Sequence, residues 1–232
     1  KLCNNLRGSN TEKSVMKIIE ARFRLPDLGQ CEQYSTYWEF VDEIWVPFHT
    51  THTQVLFANG LLDIADMSFT PTNHRTIFGP RVSVPFDPET SFDRQCEEFT
   101  GLLTYAIPDV EQREYLQALS GLILQPHVVL RGQLVFIGVP HSGTTTIATA
   151  IATAPGGVCG QSTVNEKRLT KDKWARTMLV NKFASISNDS GFTAQWEEFM
   201  KEYTSGTYTV EPKYGKPVTA PTTAKLISTC ND

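Results

Sequence analysis

The stretch that most restricts the fold is LVFIGVPHSGTTTIATAIAT, residues 134–153. Leu134 to Ile137 run into Gly138, Gly143 follows, and a helix-forming segment begins there. The wider run QLVFIGV is nearly continuous in apolar residues, as expected of a strand buried on both faces of a parallel sheet. Glycines in the connection let backbone N–H groups turn toward an anion, and the following helix N-terminus adds partial positive charge. A nucleotide-binding phosphate loop has the form G-x-x-x-x-G-K-[ST]. Gly138, Gly143 and Thr145 match it, and Thr144 stands where the lysine belongs. Threonine offers a hydroxyl but no charge. The motif alone is a weak signal, and its place between a strand and a helix strengthens it.

Composition removes other classes. The chain has 232 residues, 20% of them charged, and a net charge of −4. Bulk attraction to nucleic acid is therefore not implied, and any DNA contact must come from a local patch. The five cysteines, Cys3, Cys31, Cys96, Cys159 and Cys230, form no C-x-x-C pair. They read as reduced thiols of an intracellular protein. No apolar run approaches the roughly 18 residues of a membrane span, and no signal peptide opens the chain. Beginning at lysine and stopping at STCND, the sequence is expected to be a piece of a longer protein.

Periodicity predicts a helix after Ser9 and Glu12, which stand at capping-box spacing, with Val15, Met16, Ile19 and Phe23 on one face. Two short strands are expected around Asn59-Gly60, a turn dipeptide. Residues 66–91, rich in Pro, Thr, Asn and Asp, read as an extended connection. Helices follow. One carries Phe92, Cys96, Phe99 and Leu103 on a shared face. The next carries Leu116, Leu119 and Ile123, with Asp109 as its cap. From about residue 130 strands alternate with helices. KFASIS (182–187) and TAKLIST (223–229) are strand candidates, TAQWEEFMKEY a helix and GTYTVEPKYGKPVTA a hairpin. This pattern argues for an α/β sheet of mainly parallel strands.

Three stretches together resemble a known family. LFANGLLDIADMSFTP, and then Asp87-Pro88, Phe92, Asp109 to Glu111, and Leu116-Gln117 through Gly121, are similar to the helical region ahead of the ATPase in poxvirus D5-like and phage or plasmid primase-helicases. KFASISNDS resembles the family's second acidic motif. TSGTYTVEPKYGKPVTAPTTAKLISTCND looks like its DNA-facing hairpin and sensor strand. The resemblance covers about residues 53–232. It implies an α/β fold: a helical N-terminal region, then a P-loop AAA+-like sheet of the superfamily 3 helicase type, truncated at its C-terminus. The implied divisions are 1–52, a linker or small segment; 53–130, a helical collar; and 131–232, an incomplete ATPase domain.

The resemblance also implies roles. Gly138, Pro140, His141, Ser142, Gly143, Thr144, Thr145 and Thr146 would form the nucleotide-binding loop for ATP. Thr145 and Asp189 would hold Mg²⁺, and Asp189 would polarise water. Asn231 would sense the terminal phosphate. Lys213, Tyr214 and Lys216 would contact DNA at the hairpin tip. Simpler readings stand beside these. Asp189 could cap a helix, Asn231 could be an exposed terminal residue, and the hairpin lysines could be surface charges. The segment 166–182 carries six basic residues against two acids and reads as a mixed surface segment. His49, His52 and His127 read as structural or surface histidines.

The implied activity is an ATP-dependent DNA helicase module that translocates on single-stranded or forked DNA as a homo-hexamer. It would work in the cytoplasm of a bacterial host or a virus-infected cell, with a primase domain in the parent chain and no membrane. Two departures temper that. Thr144 replaces the lysine, and Asn188-Asp189 offers one carboxylate where many relatives have two. The arginine finger would lie beyond residue 232. A cation from elsewhere, such as Lys167 or Lys171, could substitute for the lysine. The alternative is a catalytically silent DNA-binding or ring-forming module with the same fold.

Overall fold

The computed structural model describes residues 35–41, 44–51, 53–72, 77–78, 80–89, 96–188 and 193–231. The helix expected after Ser9, together with His52, Phe92 and Asp189, lies outside them.

The first described elements are strands. β1 (Ser35–Val41) pairs antiparallel with β2 (Ile44–Thr50). β3 (Gln54–Phe57), β4 (Gly60–Asp63) and β5 (Ser68–Pro71) form an antiparallel meander, and β6 (Ile77–Phe78) joins β1. The expected hairpin is present, but its turn residues are Ala58 and Asn59, because Phe57 pairs with Gly60. Gly60 is needed for close approach. A Cβ there would lie 2.4 Å from the Phe69 ring and 2.5 Å from Thr70 O. Asn59 reaches out of the turn. Its Nδ2 donates to Phe86 O at 2.8 Å, and its Oδ1 accepts from Phe86 N at 2.7 Å. The described residues of 66–91 are thus more than a bare connection: β5 pairs with β4, and Phe69 packs on Phe86 with ring centroids 5.1 Å apart. The region ahead of the α/β unit is therefore stranded over 35–78 and helical from 97.

Two helices follow, α1 (Glu97–Ala106) and α2 (Val110–Ile123). Asp109 caps α2 as expected, accepting from the N–H groups of Glu111 and Gln112. The α/β unit then runs β7 (Leu134–Gly138), α3 (Thr144–Thr153), α4 (Gly157–Gly160), β8 (Gln161–Ser162), α5 (Glu166–Lys171), a 3₁₀ turn (Ala175–Leu179), β9 (Ala184–Ser187), α6 (Ala194–Tyr203), the hairpin β10 (Thr207–Val210) and β11 (Val218–Pro221), and β12 (Lys225–Asn231). Four of these strands form one parallel sheet in the order β7-β12-β9-β8.

The strands buried on both faces are β9 and β12. On β12, Leu226 packs into one core cluster and Ile227 into the other. β7 differs from its expectation. Among the described residues it is the outer strand of this sheet, and Val135, Ile137 and Val139 are 38%, 66% and 62% exposed. Only Leu134 and Phe136 face the core. The first cluster joins α3 (Ile147, Ala148, Ile151, Ala152) to β9, β12 and residues ahead of residue 130, including Val55, Val82 and Ile123. The second gathers Trp196, Phe199, Tyr203, Tyr208 and Val210 beneath α5 and the 3₁₀ turn. Burying some two dozen apolar side chains at about 1.5–3 kcal/mol each supplies the main driving force for this packing.

Candidate phosphate site at the carboxyl end of the parallel sheet

Gly138 ends β7, and the chain turns at once. A Cβ at this position would lie 2.7 Å from both Ser142 Oγ and Thr144 Cγ2, so the loop folds back over the strand end only with glycine there. Ser142 N donates to Val139 O at 3.2 Å and closes the turn. His141 and Gly143 have φ of 68° and 86°. Glycine adopts that left-handed conformation freely, whereas a histidine there is uncommon, and such outliers cluster at ligand clamps.

Gly143 is also the N-cap of α3. No side chain caps this helix, and no acid lies in its first turn. By contrast Asp109, Asn165 and Thr193 cap α2, α5 and α6. The first-turn N–H groups of Thr144, Thr145 and Thr146 therefore point, uncompensated, toward any anion in the loop. Ser142 Oγ is buried without a hydrogen-bond partner among the described residues. This cradle fits a phosphate group. What it lacks is the fixed cation: Thr144 is neutral, and His141, exposed at the loop apex, is its titratable side chain. Leu102 of α1 backs the loop, 3.2 Å from where a Cβ on Gly143 would stand.

The neighbouring strand ends converge on the same edge. Asn231 is the register partner of Gly138, and Ser187 ends β9 opposite Ser228. Ligands of open α/β sheets bind in the crevice outside such carboxyl ends. Thr229 Oγ1 donates to Asn188 Oδ1 at 3.2 Å and holds the residue just before Asp189. Thr145 is exposed at the start of α3, where its hydroxyl could serve a hydrated Mg²⁺. Among the described residues no group of three or more His, Cys, Asp or Glu could hold a metal ion.

Lys213, Tyr214 and Lys216 lie elsewhere, on the segment joining β10 to β11. All three are exposed, Tyr214 to 95%. Tyr214 has φ 66°, and Lys213 Nζ stands 5.2 Å from its ring centroid. Gly215 N donates to Pro212 O at 2.9 Å and tightens the tip. Glu202 anchors the hairpin. Its Oε1 accepts from Thr209 N at 2.8 Å, and its Oε2 from Arg176 Nη1 at 2.9 Å. Lys173 pairs with Glu211 at 3.6 Å. The hairpin belongs to the second core cluster, while the loop-bearing helix α3 belongs to the first.

Nothing in the sequence pattern singles out Glu166, which sits among basic residues. It is only 4% exposed, and its Oε1 accepts from Ser228 Oγ at 2.5 Å and from Gln133 Nε2 at 3.4 Å. Gln133 Oε1 in turn accepts from Trp196 Nε1 at 2.9 Å. These partners are far apart in the chain, so no local period reveals them.

The strand order, with a glycine loop between β7 and α3, defines a mixed α/β fold with a parallel sheet. The model of a family of unknown function, DUF5906, matches residues 136–232. No curated protein matches the chain. Among solved structures it is similar to the apo C-terminal region of NrS-1, at 16% identity over 60% of this chain and 34% of that one, with a TM-score of 0.50. The A form of the same region gives 0.48 at 16% identity, over 60% of this chain and 33% of that one. A JC virus helicase bound to an acetamide ligand gives 0.39 at 16% identity, over 60% of this chain and 41% of that one. The likeness is one of fold, carried by the first of these. The chain spans about a third of the NrS-1 chains it matches. Among the described residues no helix is long and apolar enough to cross a membrane.

Proposed function

We propose that this chain is the nucleotide-binding core of an ATP-dependent DNA helicase module from a replication protein of the primase-helicase type. The observation that carries the reading is the meeting, at one sheet edge, of an uncapped helix preceded by a left-handed glycine with the ends of β12 and β9. In it, Gly138 to Thr146 bind the phosphates of ATP through backbone N–H groups and hydroxyls. Bound Mg²⁺ would supply charge neutralisation there, with Thr145 and Asp189 as its protein ligands. Asn231 would sense the terminal phosphate. Lys213 and Lys216 grip the backbone of single-stranded DNA, and Tyr214 stacks on a base. Assembly as a homo-hexameric ring would bring in a neighbouring arginine, a contact worth roughly 10³–10⁵ in rate in phosphoryl transfer.

Thr144 favours a second reading, a ring-forming or DNA-binding module that holds nucleotide weakly and does not turn it over. The test is Mg²⁺-dependent ATP binding and turnover by the chain and by its Thr144→Lys variant. Binding that the lysine restores supports the phosphate site. Turnover by the native parent protein selects the first reading over the second.

A further inference from the structure

A cavity of about 440 Å³ opens between α5, the end of β9 and the start of α6, apart from the phosphate loop, none of whose residues lines it. Its walls include Asn165, Glu166, Lys167, Lys171 and Asn188. The hydrogen-bonding capacity left over in these walls has a distinct character. Lys167 and Lys171, one helical turn apart on α5, make no ion pair among the described residues. The basic residues around them are all spent: Arg168 on Asp172, Lys173 on Glu211 and Arg176 on Glu202. Asn165 and Asn188 each commit the side-chain carbonyl, to Arg168 N and to Thr229 Oγ1, and so keep their amide N–H groups. The walls thus present two ammonium and two amide donors. Behind them lies Oε2 of Glu166, buried without a hydrogen-bond partner among the described residues. Its sister Oε1 is occupied by Ser228 and Gln133.

Donor-rich walls with paired ammonium groups suit phosphate oxygens. A single buried carboxylate oxygen needs a donor from the ligand, since leaving it unpaired is costly. We infer that this cavity is a second ligand site, one that takes a phosphate ester bearing a neighbouring hydroxyl or amino group. A nucleotide unit has that chemistry, whether free or within a single strand. Lys167 and Lys171 hold the phosphate, and Glu166 Oε2 accepts from the hydroxyl or amino group. The site does not depend on the phosphate-loop reading.

The test is calorimetric titration of the full chain with adenosine monophosphate, inorganic pyrophosphate and a short oligoadenylate. The variants are Lys167→Ala/Lys171→Ala, Gly138→Ala to displace the phosphate loop, and Lys201→Ala as a surface control. The lysine pair variant should weaken adenosine monophosphate binding by about tenfold or more, as loss of two charge-assisted contacts entails. Gly138→Ala and Lys201→Ala should leave it unchanged. Glu166→Gln should reverse the preference. The amide oxygen would keep the Ser228 bond and place NH₂ at the Oε2 position, so pyrophosphate tightens and the hydroxyl-bearing nucleotide weakens. An equal loss for the oligoadenylate in the lysine pair variant assigns the site to strand nucleotides, and a loss confined to the mononucleotide assigns it to free ones. If the native chain binds none of the probes, or the lysine pair variant binds them as the native chain does, the inference is wrong. Binding abolished by Gly138→Ala alone would place all the affinity in the phosphate loop and also overturn it.

Discussion

Asn231 on β12 lies in direct register with Gly138 on β7. The two positions are far apart in sequence, yet parallel pairing sets them one inter-strand spacing apart, about 4.8 Å. A phosphate held over Gly138 therefore lies beside the end of β12. Most of the candidate chemistry follows from that pairing, because the loop, the end of β12 and the end of β9 share one edge.

The loop should respond differently to its two glycines. Gly143→Ala places a Cβ 3.2 Å from Leu102 Cδ1, the end of a flexible side chain, but must hold φ at 86°. The left-handed strain costs about 1–2 kcal/mol, and thermal unfolding should shift down by several degrees. Gly138→Ala meets Ser142 Oγ and Thr144 Cγ2 at 2.7 Å and must displace the loop. It should keep the native circular dichroism spectrum and lose the Mg²⁺–ATP affinity that the loop supplies. Full Mg²⁺–ATP affinity in Gly138→Ala would show that the observed loop shape is not needed.

The hairpin tip predicts a salt signature. Each lysine that contacts a single-strand phosphate contributes about 0.7 to the slope of log affinity against log salt. Lys213→Ala plus Lys216→Ala should lower that slope by about 1.4 in fluorescence anisotropy titrations of single-stranded DNA. Tyr214→Gly removes the ring and relieves the φ of 66°. It should weaken DNA binding by about 1–3 kcal/mol while leaving thermal stability unchanged or higher. A Tyr214→Gly protein that binds DNA as well as the native chain would remove the stacking role.

Lys225 predicts a pH dependence. It is 2% exposed, and its Nζ donates to Gln125 O at 2.7 Å and Thr223 O at 3.1 Å, tying β12 to the end of the helical region. Burial pushes its ammonium down from 10.5 to about 7. Between these values the unfolded chain binds the extra proton, so stability rises with pH across the window. Below about pH 7 the burial penalty is fully present, and near 10.5 it is gone. Urea unfolding of the native chain and of Lys225→Met should show a free-energy difference that grows in favour of the native chain, by up to a few kcal/mol, as pH rises through this range. A difference independent of pH would refute the assignment.

Much of this architecture was legible in the residues. The apolar run before Gly138, the cap at Asp109 and the alternation around GTYTVEPKYGKPVTA each encode local structure through period or turn chemistry. Other parts depend on distant partners. β5 forms because Phe69 finds Phe86 and Gly60, and no alternation marks its four residues. β7 carries the apolar run of an interior strand, yet Val135 and Ile137 are exposed, because burial of a strand face depends on what packs against it rather than on the strand's own sequence. Glu166 is buried by Ser228, Gln133 and Trp196, which a reading of local charge cannot link. Asn59, a turn residue by type, does its holding through Phe86.

The most direct test of the central claim is calorimetric binding of Mg²⁺–ATP to this chain and to Thr144→Lys. The cradle of Gly138, Ser142 and Gly143 supplies the geometry, and Thr144 leaves phosphate charge uncompensated. By analogy with a broken buried ion pair that absence costs about 3–5 kcal/mol. The account predicts that Thr144→Lys binds about two to three and a half orders of magnitude more tightly than the native chain, a ratio of the size this cost implies. Equal affinity in the two proteins, or no binding by either, would contradict it.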